Sequence, residues 1–349
     1  MVFIRNDALA AQAFDAAKLA LTGDAIPIIT GQKNDLGNRR FSVSDNGALL
    51  WQGQWQRDYQ LVWFDREGKQ TGTIDARSKV FVGQDPHISP DGKRLVVKRD
   101  QNLWVIDLDK GTGQRITSTF SQIPVWSPDG TRLAYSGASG DGAGGLTVKN
   151  VNGSGEAETL SPGAKFPADW SPDGRFIIFR QRGVKTRFDM YALPTFGDRT
   201  EYLLLDSPFD EQQLQLSPDG RWLAYVSDET GDYEIYVQSF SPDGKLGLDK
   251  KRVSTAGGRL PVWRRDGSEL FFVTPDGTLM STAVKTGGGE FGFNAPKLLF
   301  KTRMLMWYGN VHEYDVSPDG QRFLIGTLIG EPTASPPTVI LNWTAALKK

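Results

Sequence analysis

The 349-residue sequence contains no cysteine, which excludes a disulfide framework and any thiolate-ligated metal, and leaves oxidising and reducing compartments equally open. Its two histidines, His87 and His312, form no pair at ligand spacing, so neither a metal nor another cofactor is expected. Neither sign of charge prevails: 40 Lys and Arg against 41 Asp and Glu give a net charge of −1, with no basic stripe for nucleic acid. No apolar run approaches the roughly 20 residues of a membrane-spanning helix. The start, Met1 to Asp7, lacks a basic segment leading into an apolar core, so a soluble monomer without an export address is expected. Gly-x-Ser-x-Gly, His-Glu-x-x-His and Gly-x-x-x-x-Gly-Lys-Ser/Thr are also missing, which removes the serine-hydrolase, zinc-peptidase and P-loop readings.

What the sequence has instead is a recurring corner. Ser-Pro-Asp-Gly begins at Ser89, Ser127, Ser171, Ser217 and Ser317, with degenerate copies at Ser44 and Arg264. The steps between the seven marks are 45, 38, 44, 46, 47 and 53 residues, close to the roughly 40–45 of a four-stranded propeller blade. Proline fixes φ at the first central position of a turn, aspartate suits the second, and glycine takes the left-handed conformation that closes the loop. An apolar residue precedes each mark (Val43, Ile88, Trp126, Trp170, Leu216, Trp263, Val316), and a short apolar strand such as Leu133 to Tyr135 follows.

The pattern predicts an all-β fold: one β-propeller over residues 1–349, seven-bladed with a composite closing blade, six or eight being the alternatives. Val2 to Leu9 resembles the middle of a blade, whose first strand is expected from the region of Val311 to Val316. The β-branched run from Pro336 to Trp343 is expected to be a strand of the closing blade.

The phrase apolar-Ser-Pro-Asp-Gly-x-x-Leu-Ala-Tyr, at Trp126 to Tyr135 and Leu216 to Tyr225, resembles the WD-repeat-like blade of the TolB family. Gln60 to Gly68, Asp169 to Phe176 and Tyr314 to Lys349 are similar to the C-terminal propeller of membrane-anchored bacterial serine/threonine protein kinases. That resemblance implies a periplasmic or extracytoplasmic sensor. The chain itself carries no glycine-rich loop with a strand lysine, no His-Arg-Asp and no Asp-Phe-Gly, so it cannot phosphorylate anything alone.

Innermost strands line a propeller's channel. Five residues before each mark stand Arg39, Gln84, Gln122, Phe166, Gln212, Arg259 and His312, a mostly polar column suited to a protein segment, a peptide or a small polar ligand. Two residues before the marks, His87, Asp169 and Asp315 are the polar members of a second column. The structural alternative is that strand entries are polar anyway and that these groups satisfy backbone hydrogen bonds. The aspartates of the marks are turn formers rather than catalytic acids, and the acidic Asp228 to Glu234 stretch reads as a solvated hairpin.

A non-enzymatic binding or scaffold module is the leading expectation. Its rivals are a hydrolase or lyase that draws on His87, His312, Asp169 and Asp315 across several blades, and the non-catalytic gate of a peptidase.

Overall fold

The computed structural model describes the chain except for residues 6–7, 30–39, 53–54, 75–83, 139–143, 184–186, 206, 242, 287–288, 305–311, 335–336 and 345–349. It falls into two compact units, one of Met1–Asp58 with Gly330–Lys349, the other of Tyr59–Ile329. No helix among the described residues is long and apolar enough to cross a membrane.

Among its described residues the unit over 59–329 shows six antiparallel sheets with a four-strand path each. Blade 1 contains Gln84–Ile88, Arg94–Arg99, Asn102–Asp107 and Gly113–Arg115. Blade 2 runs from Ser121–Trp126 to Glu158–Pro162, blade 3 from Lys165–Trp170 to Tyr202–Leu205, and blade 4 from Gln212–Leu216 to Leu246–Arg252. Blade 5 begins at Arg259–Trp263 and carries an extra short strand, Gly292–Phe293. Blade 6 is composite: Tyr314–Val316 and Arg322–Ala334 come from late in the chain, Trp55–Asp65 and Gln70–Thr73 from early in it.

The first strand of each blade touches the first strand of the next, and Tyr314–Val316 of blade 6 touches Gln84–Ile88 of blade 1, so the ring closes on six. Six apolar clusters fill the six blade junctions. Between blades 1 and 2 lie Val96, Leu103, Trp126 and Tyr135; between 3 and 4, Phe176, Ile178, Leu214 and Tyr225; between 6 and 1, Leu61, Leu324, Ile88 and Leu95. Burying such side chains stabilises by about 1.5–3 kcal/mol each, and a sheet apolar on both faces keeps that gain only when each face meets a neighbour.

The marks are the hairpin corners expected. In blade 2, Gly130 N–H donates to Ser127 O (2.8 Å), Arg132 N–H to Ser127 Oγ (2.9 Å), and Ser127 Oγ–H to Asp129 Oδ1 (2.6 Å). Of the seven marks, six turn blades of this ring. The corner at Ser44 belongs to the other unit, where it joins Arg40–Val43 to Ala48–Gln52.

In that other unit, Val2–Arg5, Ala8–Asp15 and Ala20–Ile29 form a three-stranded sheet, while Thr338–Leu341 pairs with Ala48–Gln52. Leu9, Leu49 and Trp51 are its core, with Ile28, Ile29 and Ile340 against them. Two strand expectations therefore shift. The strand at 338–341 joins the Ser44 hairpin rather than the closing blade, and Tyr314–Val316 leads into strands 322–334 and 55–65 rather than into Val2 to Leu9.

Candidate functional site

Four of the six inner strands are bent at the same place. Residues four before the mark, Asp85, Ile123, Gln213 and Leu260, have φ between 53° and 60°, and each sits in a register shift against its neighbouring strand. A bulge of this kind redirects side chains that a regular strand would alternate. Gln84, Gln122 and Phe166 of the column five before the mark line one cavity, while His87, Asp169 and Asp315 of the column two before it, together with His312, line another.

The larger cavity, about 370 Å³, opens among the corners. Pro90, Pro128, Pro172 and Pro218 line it together with Trp126, Trp170 and Trp263; in the degenerate mark of blade 5 the proline is replaced by Arg265. Arg265 Nη2 reaches toward Ser89 O of blade 1 at 3.4 Å. His87, Asp169, Asp315 and His312 all line this cavity, so the structure brings these four expected site residues together.

Their hydrogen bonds show how they are used. Asp169 Oδ1 accepts from Trp170 N–H and Oδ2 from Leu216 N–H of the next blade, both at 2.7 Å. Asp315 Oδ1 accepts from Val316 N–H (2.7 Å) and Oδ2 from Ile88 N–H of blade 1 (2.6 Å). Gln215, at the equivalent position of blade 4, accepts from Trp263 N–H of blade 5 (2.8 Å). The column thus staples neighbouring inner strands. Desolvation in the cavity nevertheless pushes Asp169 up to about 6 and raises Asp315, against the pull of these N–H groups, His87 and Arg265.

The histidines differ. Their rings lie 4.6 Å apart. His87 Nε2 is 3.4 Å from Asp85 Oδ1; burial lowers its pKa, but that contact and the charges of Asp85, Asp315 and Asp169 outweigh burial and carry it above the ordinary value. Burial and the neighbouring His87 drive His312 down to about 3, so it is neutral at physiological pH. Among the described residues no three His, Asp or Glu side chains gather as metal ligands.

The second cavity, about 190 Å³, is lined by Gln84, Gln122 and Phe166 of the outer column, with Asp85, Lys98, Ile123, Arg180 and Phe188. The rest of that column goes elsewhere. Gln212 is buried and its amide donates to Asp210 and toward Tyr233 Oη, while Arg259 stacks over the Tyr233 ring at 3.9 Å. Arg39 lies outside the described residues. In the acidic stretch Glu234 is buried, and its carboxylate accepts from Gly257 N–H (3.1 Å) and Ser254 Oγ–H, a strand anchor rather than a solvated loop residue.

Sequence reasoning missed Arg265, Asp85 and Arg180. Arg265 carried a signal, because it breaks the proline of the mark. So did Arg180: six residues after the mark's glycine stand Lys98, Ser136, Arg180, Val226, Val273 and Gly326, two cations in an otherwise neutral column.

The sequence is 25% identical over 217 residues to an uncharacterised protein of Agrobacterium fabrum, covering 57% of this chain and 72% of that protein. It is 30% identical over 211 residues to an uncharacterised peptidase of Bacillus subtilis, covering 51% of this chain and 30% of the peptidase, so the match spans under a third of that protein's length. No protein-family model matches. Among solved structures, the chain is similar to a putative TolB from Agrobacterium tumefaciens (TM-score 0.60, 20% identity, 79% of this chain and 100% of that one). It is also similar to TolB from Acinetobacter baumannii (TM-score 0.52, 17% identity, 86% and 79%) and to an oligogalacturonate lyase in complex with manganese (TM-score 0.51, 14% identity, 84% and 96%). The fold is a TolB-like propeller.

Proposed function

We propose that this chain is a non-enzymatic binding module that receives a protein segment, peptide or small polar ligand in the cavity among the corners. The observation that carries this reading is the use of Asp169 and Asp315: each carboxylate oxygen holds a backbone N–H, so the groups best placed for acid or base work are structural. Arg265 and His87 are left at the cavity surface to meet a ligand, one a fixed cation and one a titratable donor. The test is photo-crosslinking of the full chain, with the reactive side chain in place of Gln215, in an envelope extract. A discrete adduct that weakens with Arg265→Ala supports the reading; no adduct, together with turnover of an added substrate, overturns it.

In this reading the module is the extracytoplasmic sensor or interaction part of a kinase-type receptor, as the three kinase-like stretches suggest. Fractionation of the source cells tests the placement. Recovery with a membrane-bound kinase supports it, and a free cytosolic chain counts against it.

A second reading, a propeller hydrolase or lyase, is favoured by one observation: His87 beside Asp85, in the same cavity as an Asp169 held near 6, offers a proton acceptor and a proton donor together. Turnover that disappears in His87→Gln while the fold persists would select it.

A further inference from the structure

The second cavity holds two buried polar atoms of opposite charge with nothing bound to them. Arg180 is 2% exposed and Asp85 1% exposed. Arg180 Nη1 and Asp85 Oδ2 have no hydrogen-bond partner among the described residues. Both residues line the same space of about 190 Å³.

Neither side chain is loose. Asp85 is fixed by the bulge, and its other oxygen accepts from His312 N–H of blade 6 at 2.9 Å. Gln213, at the same place in blade 4, also accepts a backbone N–H from an adjoining blade, that of Leu260 in blade 5 at 2.7 Å, so the bonded oxygen of Asp85 has a structural use that Oδ2 does not share. Arg180 comes from the second strand of blade 3, opposite Phe166, and its guanidinium lies over the rings of Phe188 (4.2 Å) and Phe166 (5.6 Å). Stacking holds a guanidinium plane without using its N–H groups.

Leaving a buried charged donor and a buried charged acceptor unsatisfied costs each its desolvation without a compensating bond. A small molecule that satisfied both would recover that cost. We propose that this cavity is a binding site for a small carboxylate carrying a hydrogen-bond donor on the adjacent carbon, an α-amino or α-hydroxy acid unit. The carboxylate meets Arg180 and the donor meets Asp85 Oδ2. Gln84 and Gln122 flank it with amides, and Phe166 and Phe188 supply apolar walls. The volume, about 190 Å³, is that of about six waters at roughly 30 Å³ apiece, which leaves room for such a unit. Hydrogen phosphate has an O–H to offer, but it brings a second negative charge to within reach of the Asp85 carboxylate, so it is the poorer anion.

This site is separate from the cavity proposed above for a larger ligand, and either can fail without the other. Calorimetric titration of the full chain with L-alanine, L-lactate, N-acetyl-L-alanine, propionate and inorganic phosphate tests it. Saturable binding of alanine or lactate is expected, with propionate about tenfold weaker for want of the donor and phosphate silent. N-acetyl-L-alanine mimics a polypeptide C-terminus: binding tighter than alanine identifies a chain end as the source, and weaker binding a free acid. Arg180→Gln should lose the response. Phe188→Ala leaves both buried charges in place and should weaken it several-fold, which keeps the test decisive if the arginine variant does not fold. No saturable response to any carboxylate, equal binding of phosphate, or an affinity indifferent to both substitutions overturns the proposal.

Discussion

Glycine in the corner carries two separate burdens. Every mark's glycine in the ring has positive φ, for example +72° at Gly92 and +76° at Gly174, a conformation that costs an L-residue about 1–2 kcal/mol. They differ in surroundings. A Cβ on Gly174 would meet nothing within 4 Å, whereas one on Gly92 would stand 2.7 Å from Cγ of Pro318, the proline of the preceding blade's corner. Gly174→Ala is therefore expected to lose only the conformational amount in urea unfolding, and Gly92→Ala at least about 1 kcal/mol more, because the proline must move. Equal losses would show that the corners do not depend on each other. The sequence displayed the left-handed requirement plainly, since Asp-Gly is a turn signal. It did not display the contact, because Gly92 and Pro318 are neighbours only once the ring is closed.

At the scale of the element, the inner strand is the informative unit. Its mark-side end was legible: a repeat with fixed register puts residues two before the mark in one layer, and His87, Asp169 and Asp315 do share a cavity. Its other half was not. The bulge at Asp85 interrupts the two-residue alternation on which strand reading relies, so a side chain counted as sheet-facing turns into a cavity. The staples give this layer its energetics. Asp315→Ala would leave the Ile88 and Val316 N–H groups without acceptors at the junction of blades 6 and 1, and a loss of about 2–4 kcal/mol is expected in the same unfolding assay. Asp315→Asn, which retains one acceptor oxygen, should lose less. A loss from Asp315→Ala below about 0.5 kcal/mol would show that water replaces the staple.

For the whole molecule, the blade number depended on a pairing that no local pattern reveals. Blade 6 is completed when Thr327 Oγ1–H meets Gln60 O at 3.3 Å, across 267 residues of sequence. The corner at Ser44, a degenerate copy of the mark, turns a hairpin of the smaller unit, so counting corners gives seven where six sheets form the ring among the described residues. The ring also has a pH signature. Burial pushes Glu313 up to about 8 and Glu211 up to about 7, and His87 is raised as well. The two glutamates hold their protons to higher pH in the folded chain than in the unfolded one, so their contribution falls as pH rises toward those values. The stability His87 contributes is fully present below its unfolded pKa and is lost as pH climbs through its raised folded one. His312, held near 3, acts in the opposite sense but only below its ordinary 6.5. Between about pH 6.5 and about pH 8 Glu313 and His87 act in the same direction, with Glu211 adding to them only up to about pH 7, and the melting temperature should drop on the order of 2–4 °C. Glu313→Gln should flatten that slope; a wild-type melting temperature constant across the range would contradict it.

Three indoles, those of Trp126, Trp170 and Trp263, border the larger cavity, and Trp126 Nε1–H donates to the backbone oxygen of His87 at 2.9 Å. Their emission colour depends on the polarity next to each ring. Whatever molecule enters there announces itself optically, with no label attached.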